Sequence, residues 1–383
     1  MGRVLVVATA GAGGDLQPLM SAASALRDRG HDLVVLGDRS VERSLAGLEV
    51  KTEVLPSELD LGPTLGGAIR DAMATSGGDL AAAGSVVQDR MMTWASDLAG
   101  PVDQAVRTHR PDAVMTSLFG VEALYKAEPP CPWVVVNSTF YVGPDPPRPV
   151  TSDFGPRALP LVTRYASLLG SPDLVLHATD PVFDIAFEGL PERHRYVGPL
   201  GIWEPPSERP GYLDEPGDPW VLVSISSQLQ DDLPIAQAAL DALSDRPVRV
   251  VLTLGPDHAL SELSVVPSNA RVEQVISHAA VLERATLLVS HAGHGSVMKA
   301  LWYGCPMVLV PWGRDQPGVA ARAAALGVAE VVPREGASAE TIGEAVTRVL
   351  GDDGMGDKAR WHAERLQRTD PPNVAARLIE GLL

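Results

Sequence analysis

The 383-residue chain has only two cysteines, Cys131 and Cys305, each beside a proline in an apolar context. Thiols so placed read as small buried hydrophobes, not as a disulfide framework or a metal site. No apolar run approaches the ~20 residues that a membrane span needs. The opening MGRVLVVATAGAGG has an apolar core of seven residues, Val4 to Ala10, behind one basic residue. That is short for a secretory signal and reads as a first strand, so a cytoplasmic protein is expected, as a monomer or homodimer. Positive charge is also scarce: 31 Lys and Arg stand against 48 Asp and Glu, a net charge of −17. Nucleic-acid binders meet phosphate backbones with basic surfaces, so this function is excluded. A small anionic ligand is not, because one local site can be electropositive on an acidic protein.

What is present points to two domains. Hydrophobic residues make up 45% and charged residues 21%, an ordinary globular balance at a length above the usual single domain. Arg3 to Gly37 and Trp220 to Gly255 share one plan. Each has a β-branched run, a polar or Gly-rich loop, Asp-Leu shortly before a proline, an Ala/Leu-periodic helix and a second strand ending Leu-Gly. Such β–α–β openings with continuous apolar strands predict two doubly wound α/β domains with parallel sheets. Residues 202–219, IWEPPSERPGYLDEPGDP, lack a hydrophobic period and read as a linker. The domains are therefore placed at 1–201 and 220–365. Asp370-Pro-Pro372 divides the helical C-terminal stretch in two.

The densest chemistry lies in HAGHGS, His291 to Ser296, between the apolar run Ala285–Ser290 and the helical pattern Val297–Tyr303. In a doubly wound sheet this junction forms an anion site beyond the strand's carboxyl end. Gly293 and Gly295 let backbone approach the anion, the first helical N–H groups point at it, and Ser296 and His291 add donors. Read alone, the stretch is equally consistent with a tight turn bearing solvent-facing histidines. Downstream, CPMVLVP makes another strand and WGRDQ leaves Asp315 and Gln316 at its end. A carboxylate and an amide there can bind vicinal sugar hydroxyls. Val275, Ile276 and His278 fall at the end of the preceding strand.

In order and spacing, His291, Gly293, Gly295, Ser296, Gly304-Cys305-Pro306, Asp315 and Gln316 resemble the donor signature of inverting nucleotide-sugar glycosyltransferases of the GT-B fold, two Rossmann-like domains facing across a cleft. The likeness is strongest to the bacterial natural-product branch. It implies diphosphate contacts from His291, Gly293, Gly295 and Ser296, and from Ser226 or Ser227 in SISSQ. It further implies nucleoside contacts from Val275, Ile276 and His278, sugar contacts from Asp315 and Gln316, and residues 366–383 crossing back as a helix onto the first domain. Three positions depart from the family pattern. Lys299 stands where a ribose-binding glutamate is common, Val275 where a base-stacking tryptophan is common, and Ser277-His278 where Pro-Gln is usual. A deoxyribose donor, a TDP-sugar, needs one acceptor fewer than a UDP-sugar. The chain has no Asp-x-Asp, so no metal or other cofactor is expected.

In the first half, AGAGGDLQPL carries Gly11, Gly13 and Gly14 before Asp15. A dinucleotide fingerprint beginning at Gly11 would need glycine where Leu16 stands, so that motif is incomplete. Gly-Asp-x-x-Pro instead resembles the loop of glycopeptide-antibiotic and sterol glycosyltransferases, which implies Asp15 as general base. An ordinary carboxylate, with a pKa near ~4, is a weak base, and desolvation in a cleft would strengthen it. The structural alternative is that Asp15 caps the following helix. His31 and His109 sit at helix-to-strand turns and read as structural. For a small hydrophobic acceptor, Met91, Trp94 and Phe140 are the candidate contacts, and Met73 and Met92 belong to the same methionine-rich region. The resulting expectation is sugar transfer from a nucleoside-diphosphate sugar to a hydroxyl. A nucleotide-sugar epimerase of the same fold and a non-catalytic nucleotide-sugar-binding protein are the alternatives.

Overall fold

The computed structural model describes residues 1–8, 14–45, 48, 50–60, 71, 75, 80–142, 154, 159–184, 190–204, 207–227, 230, 232–256 and 258–383. Gly11, Gly13 and Met73 lie outside the described residues. The first sheet comprises β1 (Arg3–Ala8), β2 (Asp32–Gly37), β3 (Lys51–Val54), β4 (Ala113–Ser117), β5 (Trp133–Asn137), β6 (Leu174–His177) and β7 (His194–Tyr196), in spatial order β3-β2-β1-β4-β5-β6-β7. Its helices are α1 (Leu16–Asp28), α2 (Arg39–Ser44), α3 (Leu80–Asp97), α4 (Ala99–His109), α5 (Val121–Ala127) and α6 (Leu159–Leu168).

The second sheet comprises β8 (Trp220–Ser224), β9 (Arg249–Thr253), β10 (Ala270–Glu273), β11 (Ala285–Ser290), β12 (Met307–Leu309) and β13 (Ala329–Val331), ordered β10-β9-β8-β11-β12-β13. Around it lie α7 (Leu233–Leu243), α8 (His278–Leu282), α9 (His294–Tyr303), α10 (Gln316–Ala325), α11 (Ala339–Leu350) and α12 (Asp353–Gln367). Every pairing in both sheets is parallel. Strands covered on both faces need apolar side chains in both directions, which is why VLVV, WVVVN and WVLVS are continuous rather than alternating.

In each sheet the strand order reverses beside the first strand, between β1 and β4 and between β8 and β11. Such a switch point leaves a crevice beyond the carboxyl ends of the two strands. Asp15 follows β1, and His291 follows β11, so both lie at these crevices.

Chain between the sheets is docked, not free. In the stretch that reads from composition as a linker, Leu213 is buried, Tyr212 packs against Trp220 at a ring distance of 5.7 Å, and Trp203 packs against the first-domain core. The final helix, α13 (Pro371–Glu380), lies on the first domain. Its Ala375, Ala376 and Ile379 are fully buried in the cluster of Val4, Val6, Leu19 and Met20. Glu380 accepts from Arg29 at 2.7 Å and from His31 at 3.1 Å. His109 pairs with Glu53 at 2.7 Å, so both turn histidines have structural partners. Cys305 is buried, whereas Cys131 is only partly covered.

Candidate active site

The cleft is built by two helix beginnings that face each other. Gly201, between the domains, stands so that a Cβ would lie 3.7 Å from Gly295 Cα at the start of α9 and 3.8 Å from Pro18 in the first turn of α1. The carboxylate that precedes α1 and the glycine loop that precedes α9 therefore meet at one place.

Asp15 is buried (5% exposed) and its side chain makes no capping bond to α1, so the carboxylate is not spent on the helix. Oδ1 accepts from the hydroxyl of Ser138, just past β5. Oδ2 is buried with no hydrogen-bond partner among the described residues. Burial, followed by the nearby Asp315 carboxylate, pushes the Asp15 pKa up to about 8, against a hydrogen bond from Ser117 that lowers it. An acid so placed can take a proton near neutral pH, as an exposed aspartate cannot. Gly14, immediately before it, has open space where a side chain would stand.

The glycine loop on the other side is tightly specified. A Cβ at Gly293 would sit 2.5 Å from His291 Nε2, so any side chain there would displace the imidazole. Ala292 takes a left-handed φ of 66°, turning the chain from β11 into α9. His291 Nδ1 lies 3.3 Å from the Ser224 carbonyl at the end of β8, which leaves Nε2 toward the loop. Burial lowers its pKa, partly offset by Asp232, and the neutral ring, donating from Nδ1 to that carbonyl, presents Nε2 as an acceptor until it is protonated. Ser296 is half-buried and Gly295 has open space above its Cα. The second histidine of the loop joins the two domains instead. His294 Nε2 meets Thr179 Oγ1 of the first domain at 3.1 Å, and burial drives its pKa to about 3.

Several residues expected at the site are occupied otherwise. The Gln316 side chain is buried: Oε1 accepts from the backbone N–H groups of Trp312 and Gly313 at 2.8 and 2.9 Å, and Nε2 donates to Gln230 at 3.0 Å. It shapes the loop that carries Asp315 and has little left for a sugar. Asp315 Oδ2 accepts from Thr139 Oγ1 at 2.6 Å across the cleft. Ser226 donates its backbone N–H to Asp232, while Ser227 is exposed. Val275 is 76% exposed, Ile276 packs against the core, and His278 meets Thr253 Oγ1 at 3.0 Å. Met91 and Trp94 are core residues, the indole donating to the Leu59 carbonyl at 2.9 Å. Phe140 is buried beneath the Arg322 guanidinium, 3.9 Å from its ring centre. None of these three presents surface to an acceptor, because each is used in packing.

The structure also adds partners that sequence patterns did not single out: Ser138, Thr139, Glu204 and Arg314. Ser138 and Thr139 touch Asp15 and Asp315, but a Ser-Thr pair after a strand carries no signal of its own. Lys299 is buried, and its ammonium donates to Glu204 at 2.5 Å and to Gln17 of α1 at 2.9 Å. Glu204 also accepts from Ser277 at 2.5 Å. A carboxylate thus does stand beside α9, supplied from the segment between the sheets. Arg314 lies within electrostatic reach of His291 and Asp232. Two further ion pairs join the domains: Asp184 with Arg322 at 3.0 Å, both buried, and Asp180 with Arg365.

Residues 237–381 match the family described as Erythromycin biosynthesis protein CIII-like, C-terminal domain. The chain is similar to demethyllactenocin mycarosyltransferase of Streptomyces fradiae, 32% identical over 209 residues, 52% of this chain and 43% of that protein. It is also similar to 4'-demethylrebeccamycin synthase of Lentzea aerocolonigenes, 33% identical over 227 residues, 57% of this chain and 52% of that one. The chain spans about half the length of these curated relatives. Among solved structures, the glycotransferase of kitacinnamycin superposes with a TM-score of 0.76 at 21% identity, covering 100% of this chain and 99% of that one. The spinosyn rhamnosyltransferase SpnG complexed with thymidine diphosphate gives 0.73 at 20% identity, covering 99% and 100%. These neighbours share the GT-B fold, and the two parallel-sheet domains described above are that fold.

Proposed function

We propose that the protein is an inverting glycosyltransferase that moves a sugar from a nucleoside-diphosphate sugar to a hydroxyl of a small natural-product acceptor. The observation that carries this reading is the placement of a buried, partner-poor carboxylate, Asp15, opposite a glycine loop and helix N-terminus, an arrangement suited to a diphosphate. In the reaction, Asp15 takes the acceptor's O–H proton as that oxygen bonds to the anomeric carbon. The bond from that carbon to the diphosphate oxygen breaks on the opposite face. The α9 N–H groups and Ser296 receive the charge that develops on the leaving group, His291 joins them once its Nε2 takes a proton, and no metal or cofactor takes part in this scheme. Asp315 orients the sugar through hydroxyl contacts, shared with or released from Thr139.

The donor is a TDP- or UDP-sugar, and TDP is favoured. Lys299 cannot accept from a ribose diol, and its carboxylate partner Glu204 is already engaged with Lys299 and Ser277. A neighbour of the same fold is solved with thymidine diphosphate. The test is a thermal-shift titration with TDP, UDP, GDP and NADPH, with His291→Ala as control, followed by transfer assays with Asp15→Asn. A TDP or UDP shift that weakens in His291→Ala, with transfer lost in Asp15→Asn while the shift persists, is the expected outcome. A shift with NADPH alone would overturn the assignment. Turnover of the donor without an acceptor would favour an epimerase, and TDP binding with no turnover in the wild type would favour a non-catalytic binder.

A further inference from the structure

Three fully buried polar side chains in the first domain have no part in the mechanism above: Asn137, His177 and His194, each at most 1% exposed. They stand on adjacent strands, Asn137 ending β5 opposite His177 of β6, and His194 beginning β7. One carbonyl sets the direction of the whole chain of hydrogen bonds. His194 Nε2 lies 3.1 Å from the Leu169 carbonyl, which can only accept, so Nε2 carries the proton and Nδ1 is bare. His177 Nε2, 3.0 Å from that bare nitrogen, must donate to it, which leaves His177 Nδ1 to accept. The Asn137 amide N–H donates to it at 2.9 Å. Its remaining N–H reaches the Phe140 carbonyl at 2.8 Å, and its oxygen accepts from the Thr139 N–H at 3.4 Å.

The groups facing this chain are aromatic or already satisfied. Tyr141 lies, with its ring tilted, 5.1 Å from His177 and 5.8 Å from His194, and Tyr196 lies 5.5 Å from His177. Beyond them Asp184 accepts from Tyr196, from the Tyr141 N–H and from Arg322. Burial lowers both imidazole pKa values, consistent with neutral rings. A leucine–phenylalanine core would fill this space without any polar group to satisfy, so what the network contributes is direction. It fixes the backbone of the turn after β5 from below, with the Thr139 N–H and the Phe140 carbonyl turned inward. The hydroxyls of Ser138 and Thr139 are left to reach Asp15 in one domain and Asp315 in the other.

We infer that Asn137, oriented by the His177–His194 pair, is a positioning residue that sets the Ser138–Thr139 turn against both carboxylates of the cleft. This rests on the glycosyltransferase reading for its consequence in turnover, though not for its geometry. Two readouts separate them. In the first, kcat and KM are measured for Asn137→Ala, His177→Phe and His177→Gln. Asn137→Ala and His177→Phe should lose roughly tenfold or more in kcat, with donor KM and the TDP thermal shift changed less than twofold. His177→Gln, which keeps a donor and an acceptor, should recover most of the loss.

In the second, the Asp15 carboxyl is titrated by carbon-13 NMR in the unliganded protein, where no turnover is needed. Loss of the Ser138 hydrogen bond removes a contact that favours the ionised form, so the titration should move to higher pH in Ser138→Ala, Asn137→Ala and His177→Phe alike. A wild type that transfers no sugar would sink the functional reading and leave this titration as the test. An Asp15 titration unmoved in both Asn137→Ala and His177→Phe would overturn the inference, as would equal behaviour of His177→Phe and His177→Gln. If Asn137→Ala does not fold, the two His177 variants carry the same comparison.

Discussion

Replacing Asp15 with asparagine should abolish transfer and at the same time make the protein more stable, by an amount that depends on pH in a calculable way. In the unfolded chain the carboxyl ionises at its ordinary pKa of 3.8, whereas in the fold it holds its proton to about 8. Between those values the folded state binds one more proton than the unfolded state. Stability therefore falls by about 1.4 kcal/mol per pH unit as pH rises from 4 toward 8, and levels off above. At pH 7 the accumulated cost is on the order of 4 kcal/mol. Asparagine does not titrate, and it keeps an oxygen to accept from Ser138. Its amide N–H would lack an acceptor, as the O–H of the neutral acid does, so the comparison isolates the charge. For domains of this size a gain of that order raises Tm by roughly 10 °C. Denaturant melts of both proteins at half-unit steps from pH 4.5 to 8 measure the difference directly. The two curves should converge near pH 4.5 and diverge upward. A constant difference, or a variant less stable at every pH, would refute the claim that a desolvated proton-holding carboxyl sits at the end of β1.

The same pKa sets the rate: kcat/KM should climb about tenfold per pH unit and bend near pH 8, so an acid limb centred below 6 would exclude Asp15 as the base. Gly293→Ala should displace the His291 ring and erase most of the TDP-induced thermal shift, which is about 2.7 kcal/mol at a hundredfold excess over Kd, with the unliganded Tm changed far less. Arg322→Met leaves Asp184 buried without its cation and should cost about 3–5 kcal/mol in chemical denaturation, whereas removing both charges together should cost much less. On the acid side, His278 and His294 stay neutral in the fold down to about 4 and about 3, while an unfolded imidazole takes its proton below ~6.5. Their contribution to stability, opposite in sign to that of Asp15, should therefore drop as pH falls through 6 toward 4, and His294→Phe should remove part of that contribution.

Features written in consecutive residues are legible in the chain itself. The β1–α1–β2 and β8–α7–β9 units follow from β-branched runs and an alanine-rich helical period, and Gly304, left-handed at φ 69°, ends α9 where the pattern stops. The glycine loop can be read because its chemistry needs those residue types at that spacing. Contacts across the cleft cannot. Nothing in Glu204 distinguishes it from the other acids of a proline-rich stretch, yet it answers the buried Lys299. Phe140 and Trp94 illustrate the reverse error: an aromatic in an excursion from a minimal plan looks available for a ligand until the tertiary fold buries it. Gln316 follows a real motif, but its amide is taken up by the turn that presents Asp315.

The helix α13 has a consequence for how the chain is made. Its Ala375, Ala376 and Ile379 complete the apolar layer over β1 and α1, which leave the ribosome well before it. At 5–20 residues per second, roughly 10–40 s pass between emergence of the first sheet and arrival of the helix that covers it. Of the two domains, the one synthesised earlier is thus completed later, and for that interval an apolar stripe beside α1 stays open to water and to chaperones.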